Sequence, residues 1–171
     1  VRSHLTLVVS TLGILHQETA KAETAMAQLD LADLQEIFAT NAFAPTLLLQ
    51  HVLPFLRKQP ATFGALSARV GSLSDNRLGG WYSYRSSKAA LNQLLHTASI
   101  ELKRVNPAAK VLALHPGTTD TELSRPFQGN VPEGKWFETG FAARCVIELV
   151  GRLGPSVTGS FWGWDGERIG W

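Results

Sequence analysis

The chain has 171 residues, enough for one domain with a full core and too few for two ordinary ones. Apolar residues at 44% against 18% charged exclude a disordered chain, and sixteen Lys and Arg against fourteen Asp and Glu, never more than two like charges in a row, exclude a nucleic-acid groove or an anionic membrane surface. One cysteine, Cys145, excludes a disulfide framework and a multi-cysteine metal site, no apolar stretch approaches the roughly 20 residues of a membrane span, and no signal-peptide pattern opens the chain, so the expectation is a soluble cytoplasmic domain over residues 1–171 with no metal, nucleic-acid or membrane partner.

In chain order, Leu5 to Val9 (LTLVV) predicts a short strand buried on both faces, and Ser10-Thr11-Leu12-Gly13 a turn. Residues 16–28 are polar and Ala-rich and predict a loop with a helical turn. Asp30 is the candidate N-cap of a helix, with the acidic Asp33 three positions on. Leu34, Ile37, Phe38, Asn41, Ala42, Pro45, Leu48, Leu49 and Val52 then recur at helical spacing, up to the basic pair Arg57 and Lys58. Residues 61–67 (ATFGALS) predict a second strand, and 71–80 a loop rich in Gly, Ser and Asn. Tyr82 to Val105 predicts a long helix, with Leu91, Leu94, Leu95, Ala98, Leu102 and Val105 on one side and Asn106-Pro107 stopping it. Lys110 to His115 (KVLALH) predicts a third strand, broken by Pro116-Gly117. Residues 122–137 predict a loop or lid, 141–153 a third helix, 157–162 a last strand, and Asp165-Gly166 a tight turn. Strand and helix alternate throughout, which implies right-handed crossovers and a parallel sheet covered on both faces.

Chemistry concentrates in Tyr84-Arg85-Ser86-Ser87-Lys88. Positions i and i+4 of a helix share a face, so phenol and ammonium point the same way. A nearby cation favours phenolate and is expected to lower the tyrosine pKa from its usual value near 10, giving a proton carrier for an alcohol or carbonyl oxygen. Asn41 is a polar residue on an apolar helix face, four residues before Pro45. Proline has no N–H, so the Asn41 carbonyl loses its helical partner, the helix is expected to kink, and an ordered water can be held there. Pro116-Gly117-Thr118-Thr119-Asp120-Thr121 follows a strand, at the end where open α/β sheets bind ligands; His115 before it reads as a packed histidine rather than a base. Trp136, Trp162, Trp164 and Trp171 are aromatic candidates for a pocket wall or for packing. The P-loop-like run at 129–135 lacks the required Ser or Thr, because Trp136 stands there, and it is rejected.

The run GSLSDNRLGGWYSYRSSKAALN over 71–92, set between a strand and a long helix, resembles the short-chain dehydrogenase/reductase family, in the branch of C-factor and sniffer-like carbonyl reductases. The resemblance extends from Leu5 to the terminal tryptophan. It implies a Rossmann-like, doubly wound parallel sheet and hydride transfer between NADP(H) or NAD(H), with NADP favoured, and a small carbonyl or alcohol substrate. By the same resemblance Tyr84 is the general acid/base, Lys88 binds the nicotinamide ribose and tunes Tyr84, and Asn41 serves a relay water. Gly13, Pro116, Gly117, Thr119 and Thr121 join Tyr84 and Lys88 around the coenzyme, and the two long helices form a homodimer or homotetramer. The family pattern Ser-Ser-x-x-Gly falls on Ser67-Ala68-Arg69-Val70-Gly71, which puts Ala68 at the place of the active serine; Ser72 is the favoured substitute and Ser67 the alternative. No glycine-rich phosphate turn occurs, the chain opens on Val1, and its single methionine is Met26, as expected of a fragment, a processed product or the ordered part of something longer that lacks the first third of the fold. The rival expectation is a non-catalytic signalling or scaffold protein on the same fold.

Overall fold

The computed structural model describes residues 5–16, 22–56, 59–126 and 136–171. Strands β1 (Leu7–Ser10), β2 (Thr62–Leu66), β3 (Lys110–His115) and β4 (Ser160–Gly163) lie side by side in chain order and pair in parallel. A two-residue strand, β5 (Arg168–Ile169), returns antiparallel along β4. Among the described residues four α-helices connect or precede these strands: α1 (Leu31–Phe38), α2 (Ala44–Leu56), α3 (Tyr82–Val105) and α4 (Thr139–Arg152).

Side chains alternate across a strand, so each strand serves two cores. On one face Phe63, Ala65, Val111, Ala113 and Phe161 pack with Leu49 and Leu56 of α2 and Leu91, Leu95 and Leu102 of α3. On the other, Leu112 and Leu114 pack with Val146, Leu149 and Val150 of α4. The result is the doubly wound, Rossmann-like arrangement expected. The crossovers are not all of one hand, however. Each strand adds on the same side of its predecessor, yet α2 and α3 cover one face and α4 the other. The crossover through α4 therefore has the opposite hand to the two before it. The right-handed rule governs compact strand–helix–strand units; here residues 116–138 separate β3 from α4, so this connection is not a compact unit.

Asp30 caps α1 as expected, its carboxylate accepting the N–H groups of Ala32 at 2.8 Å and Asp33 at 3.2 Å. The expected single helix is broken by a π-helical turn over Ala39–Phe43, in which Ala44 donates to the Ala39 carbonyl five residues back. Pro45 causes it: without an N–H at 45 the ordinary ladder cannot continue, and the chain absorbs the gap as a widened turn. Helix α3 begins and ends where the sequence places it. Strand β1 starts two residues later than expected and is an edge strand among the described residues, with Leu7 38% exposed rather than buried on both faces. The expected last strand shifts too: Pro155–Val157 forms a 3-10 turn, Gly159 takes a φ of 76°, and only then does β4 begin. Arg57, Lys58 and the rejected run at 129–135 lie outside the described residues. Among the described residues no helix is long and apolar enough to cross a membrane, and no group of three or more His, Cys, Asp or Glu could hold a metal ion.

Candidate active site

At the carboxyl ends of β1, β2 and β3 lies a cavity of about 1260 Å³. Its wall includes Gly13 beyond β1, Ala68 beyond β2, Tyr84 and Lys88 from α3, and His115 to Thr119 at and beyond the end of β3. Tyr84 and Lys88 do share a face. The Lys88 ammonium stands 5.8 Å from the centre of the Tyr84 ring, and both residues are buried, at 8% and 3% exposed.

The pKa of the phenol departs from the expectation. Burial pushes Tyr84 up to about 12, and burial brings Lys88 down to about 8. Desolvation disfavours whichever form is charged, so it raises a phenol and lowers an amine. It prevails here because Lys88 is itself desolvated, and with its pKa brought down to about 8 no cation faces the phenol where the phenol would ionise; the Lys88 amine donates to the Leu66 carbonyl at 3.0 Å. His115 is also brought down, to about 4, first by burial and then by the Arg69 charge. It is neutral near pH 7, and its Nδ1 has no hydrogen-bond partner.

Asn41 is fully buried, and its side chain is spent on protein partners rather than on solvent. Oδ1 accepts the Ile14 N–H at 2.7 Å, while Nδ2 donates to the Ile14 carbonyl at 2.8 Å and to Ser87 Oγ at 3.0 Å. This clasp presses the Gly13 segment against α3. A Cβ on Gly13 would come within 3.0 Å of Lys88 Nζ, so the missing side chain makes room for the ammonium.

Ser72 requires a correction. It is 1% exposed and outside the cavity wall, its hydroxyl donating to the Gly170 carbonyl at 2.6 Å and accepting the Asp75 N–H at 3.2 Å. It fastens the C-terminal strand and does not line the cavity. The alternative, Ser67, borders the cavity but donates its hydroxyl proton to Asn92 Oδ1 at 2.7 Å. Ala68 stands at the wall between β2 and the following turn. Gly71 just beyond is required by contact: a Cβ there would lie 2.8 Å from Lys88 Cβ and 3.0 Å from the Lys88 main chain.

Across the cavity, Pro116 to Thr119 form the turn after β3, with Gly117 at φ 78° and Phe137 so close that a Cβ would meet its ring at 2.5 Å. Thr119 bridges Phe137, and the Thr119 carbonyl accepts the Ser124 hydroxyl at 2.6 Å and the Thr121 hydroxyl at 3.4 Å. Residues 127–135 of the expected lid lie outside the described residues. Trp81, which motif spacing does not reveal, joins Tyr84 on the wall, its ring edge-on to Tyr84 with centroids 6.3 Å apart. Trp164 packs on Phe137, Trp171 stacks on Phe161, and Trp162 joins the α4 core.

A doubly wound sheet with this cavity at its strand tips defines a Rossmann-like α/β protein. Residues 3–131 match the family described as short chain dehydrogenase, and the chain belongs to that family. Over 146 residues it is 34% identical to 1-hydroxy-2-glutathionyl-2-methyl-3-butene dehydrogenase of Rhodococcus sp. (strain AD45), covering 85% of this chain and 62% of the relative. It is 32% identical over 149 residues to C-signal of Myxococcus xanthus, covering 86% of this chain and 84% of that one. Among solved structures, the NADPH-bound carbonyl reductase from chicken fatty liver superposes with a TM-score of 0.84 at 28% identity, over 99% of this chain and 67% of the reductase. The chain thus spans under two thirds of the Rhodococcus relative's length.

Proposed function

We propose that the protein reduces a carbonyl group on a small molecule, using a nicotinamide coenzyme held at the β2–β3 strand tips, with Tyr84 as the proton donor. The observation that carries this reading is the buried Tyr84–Lys88 pair on the wall of the strand-tip cavity. The residues present fit the nicotinamide riboside half of such a coenzyme. Lys88 offers a charged donor, the Pro116–Thr119 turn and Thr121 border the cavity opposite, and Ser10 Oγ nearby, at the tip of β1, is buried without a partner. Bound there, the coenzyme supplies the hydride. NADP is favoured over NAD, in keeping with the NADPH-bound relative.

The chain's own part is the proton. With its pKa pushed up to about 12, Tyr84 stays protonated at neutral pH, which suits giving a proton to a carbonyl oxygen better than taking one from an alcohol. Lys88 holds its place through the Leu66 carbonyl and presents positive charge to the ribose side. Asn41 fixes Gly13 and Ile14 beside Lys88 through its side chain, and its main-chain carbonyl, with no N–H at Pro45 to take it, is the seat for a relay water. The substrate oxygen receives no serine hydroxyl from Ser72, so Tyr84 is its principal donor. Exposed apolar residues on the outer side of the long helices, Leu47, Phe55, Ile100 and Val105 among them, support a homodimer or homotetramer, and the single cysteine suits the cytoplasm.

Tyr84→Phe tests the reading. Turnover of an aromatic diketone with NADPH should fall about 10²- to 10⁴-fold with little change in melting temperature. Retained turnover removes Tyr84 from the reaction. A non-catalytic role on the same fold draws support from Ala68, which leaves the serine place on the cavity wall without a hydroxyl. Calorimetric titration with NADPH separates the two, because that role predicts no binding.

A further inference from the structure

Residues 16–28 read as a polar loop, yet Glu23 within them is only 4% exposed. Its carboxylate meets the first turn of α3: Oε2 accepts the Ser83 N–H at 3.3 Å, and Oε1 accepts the Ser83 hydroxyl. The Glu23 main-chain carbonyl accepts the Trp81 N–H at 2.5 Å. Ser83 is fully buried.

Helix α3 has no cap of its own. Trp81 precedes it in the left-handed region, at φ 51° and ψ 48°, and its side chain accepts no capping bond. Such a conformation in a bulky residue persists only where surroundings enforce it. An N-cap oxygen ordinarily takes the N–H of the second or third helical residue, and Ser83 is the second. Glu23 fills that place from 60 positions away in sequence, with a carboxylate set against the positive end of the helix dipole. The loop that delivers it is braced, since Gln28 Oε1 accepts the N–H groups of Thr24 at 2.7 Å and Ala25 at 3.1 Å. Arg85 closes the entry to the same turn, donating to the carbonyls of Gly80 at 2.9 Å and Gly79 at 3.2 Å.

We propose that Glu23 is a positioning residue for the reaction: it caps α3 across the fold, and so sets where the Tyr84 phenol and the Trp81 ring stand in the cavity. The proposal rests on the reading of Tyr84 as proton donor. Its force lies in sequence adjacency, because Ser83, the residue Glu23 grips, is joined directly to Tyr84. A shift of about 1 Å in a reacting group can cost on the order of 10²-fold in rate.

The test compares Glu23→Ala with Glu23→Gln, which keeps an acceptor oxygen at the same reach. Both are assayed with an aromatic diketone and NADPH, beside Tyr84→Phe, and amide hydrogen exchange is followed at residues 82–85. Glu23→Ala should lower kcat about 30-fold with KM for NADPH within about twofold, and quicken exchange at Ser83 and Tyr84 about 10-fold. Glu23→Gln should recover most of both. An unchanged kcat in folded Glu23→Ala overturns the proposal, as does a loss explained by the unfolded fraction with exchange at Ser83 unaltered. If Tyr84→Phe itself retains turnover, the proton-donor reading fails instead, and with it Glu23's part in the reaction, while the exchange data still show whether Glu23 caps α3.

Discussion

The two halves of α3 bury different things. The first turns bury Ser83, Tyr84, Ser87, Lys88 and Asn92, with Leu91 the apolar exception; the later turns bury Leu95 and Leu102, with Ser99 the polar exception. Apart from the Tyr84 phenol, the buried polar side chains of the first half find partners on another element or on the helix itself: Glu23 for Ser83, Asn41 and the Tyr84 carbonyl for Ser87, the Leu66 carbonyl for Lys88, and Ser67 for Asn92. Leu95 and Leu102 need only an apolar surface, which β2 and β3 supply. One half of the helix is specified by directional bonds and the other by area. Damage to the first should therefore appear in chemistry, and damage to the second in stability.

The sharpest way to break that contrast pairs Tyr84→Phe with Leu95→Ala. The first should remove turnover and spare the fold. The second leaves a hole beneath the sheet and should lower unfolding free energy by about 3 kcal/mol in urea melts, with kcat of the folded fraction intact. Similar turnover losses in both, at equal folded fraction, would dissolve the distinction.

Lys88 gives the next largest effect, and its sign is unusual for a functional group. Between pH 8 and its ordinary value of 10.5 the unfolded chain keeps a proton that the folded chain has released, so wild-type stability should gain with pH across that window. Below pH 8 the buried ammonium is a full cost. Lys88→Met should therefore be inactive yet more stable than wild type at pH 7, by about 2 kcal/mol after allowing for the Leu66 carbonyl left unpaired. The gap should narrow as pH approaches 10.5. Equal melting curves at pH 7 would refute it.

The smallest effect belongs to the far end of α3. Asn106 donates to the carbonyls of Leu56 at 2.6 Å and Gln59 at 2.8 Å, tying α3 to the end of α2. Asn106→Ala should cost about 1–2 kcal/mol in chemical denaturation without touching kcat.

The same division explains what could be read from the sequence. The bounds of α3, the span of β3, the Asp30 cap and the break near Asn41 all follow from local signals: apolar spacing, a capping carboxylate, and prolines at 45 and 107. Tyr84 and Lys88 were legible because their spacing matches the helix pitch. Ser72 was not, since its partner Gly170 arrives from 98 positions away and turns a candidate donor into a clasp. Glu23 resembles any solvated loop acid until the fold brings Ser83 to it. The lowered phenol pKa failed for a related reason: spacing places the ammonium near the ring, but only packing decides what it bonds and how much water both groups lose.

The widened turn at Ala39–Phe43 carries one more residue than an ordinary coil would need. Each residue advances an α-helix by about 100°. Pro45 keeps this turn open whatever the count, because it brings no N–H to the ladder, so deleting one of the five would shorten the turn without restoring an unbroken helix. Asn41 would then leave Ile14, and the strand-tip loop beside Lys88 would lose its tether. A one-residue deletion in this turn should therefore dismantle this side of the pocket while leaving the Tyr84–Lys88 pair in place.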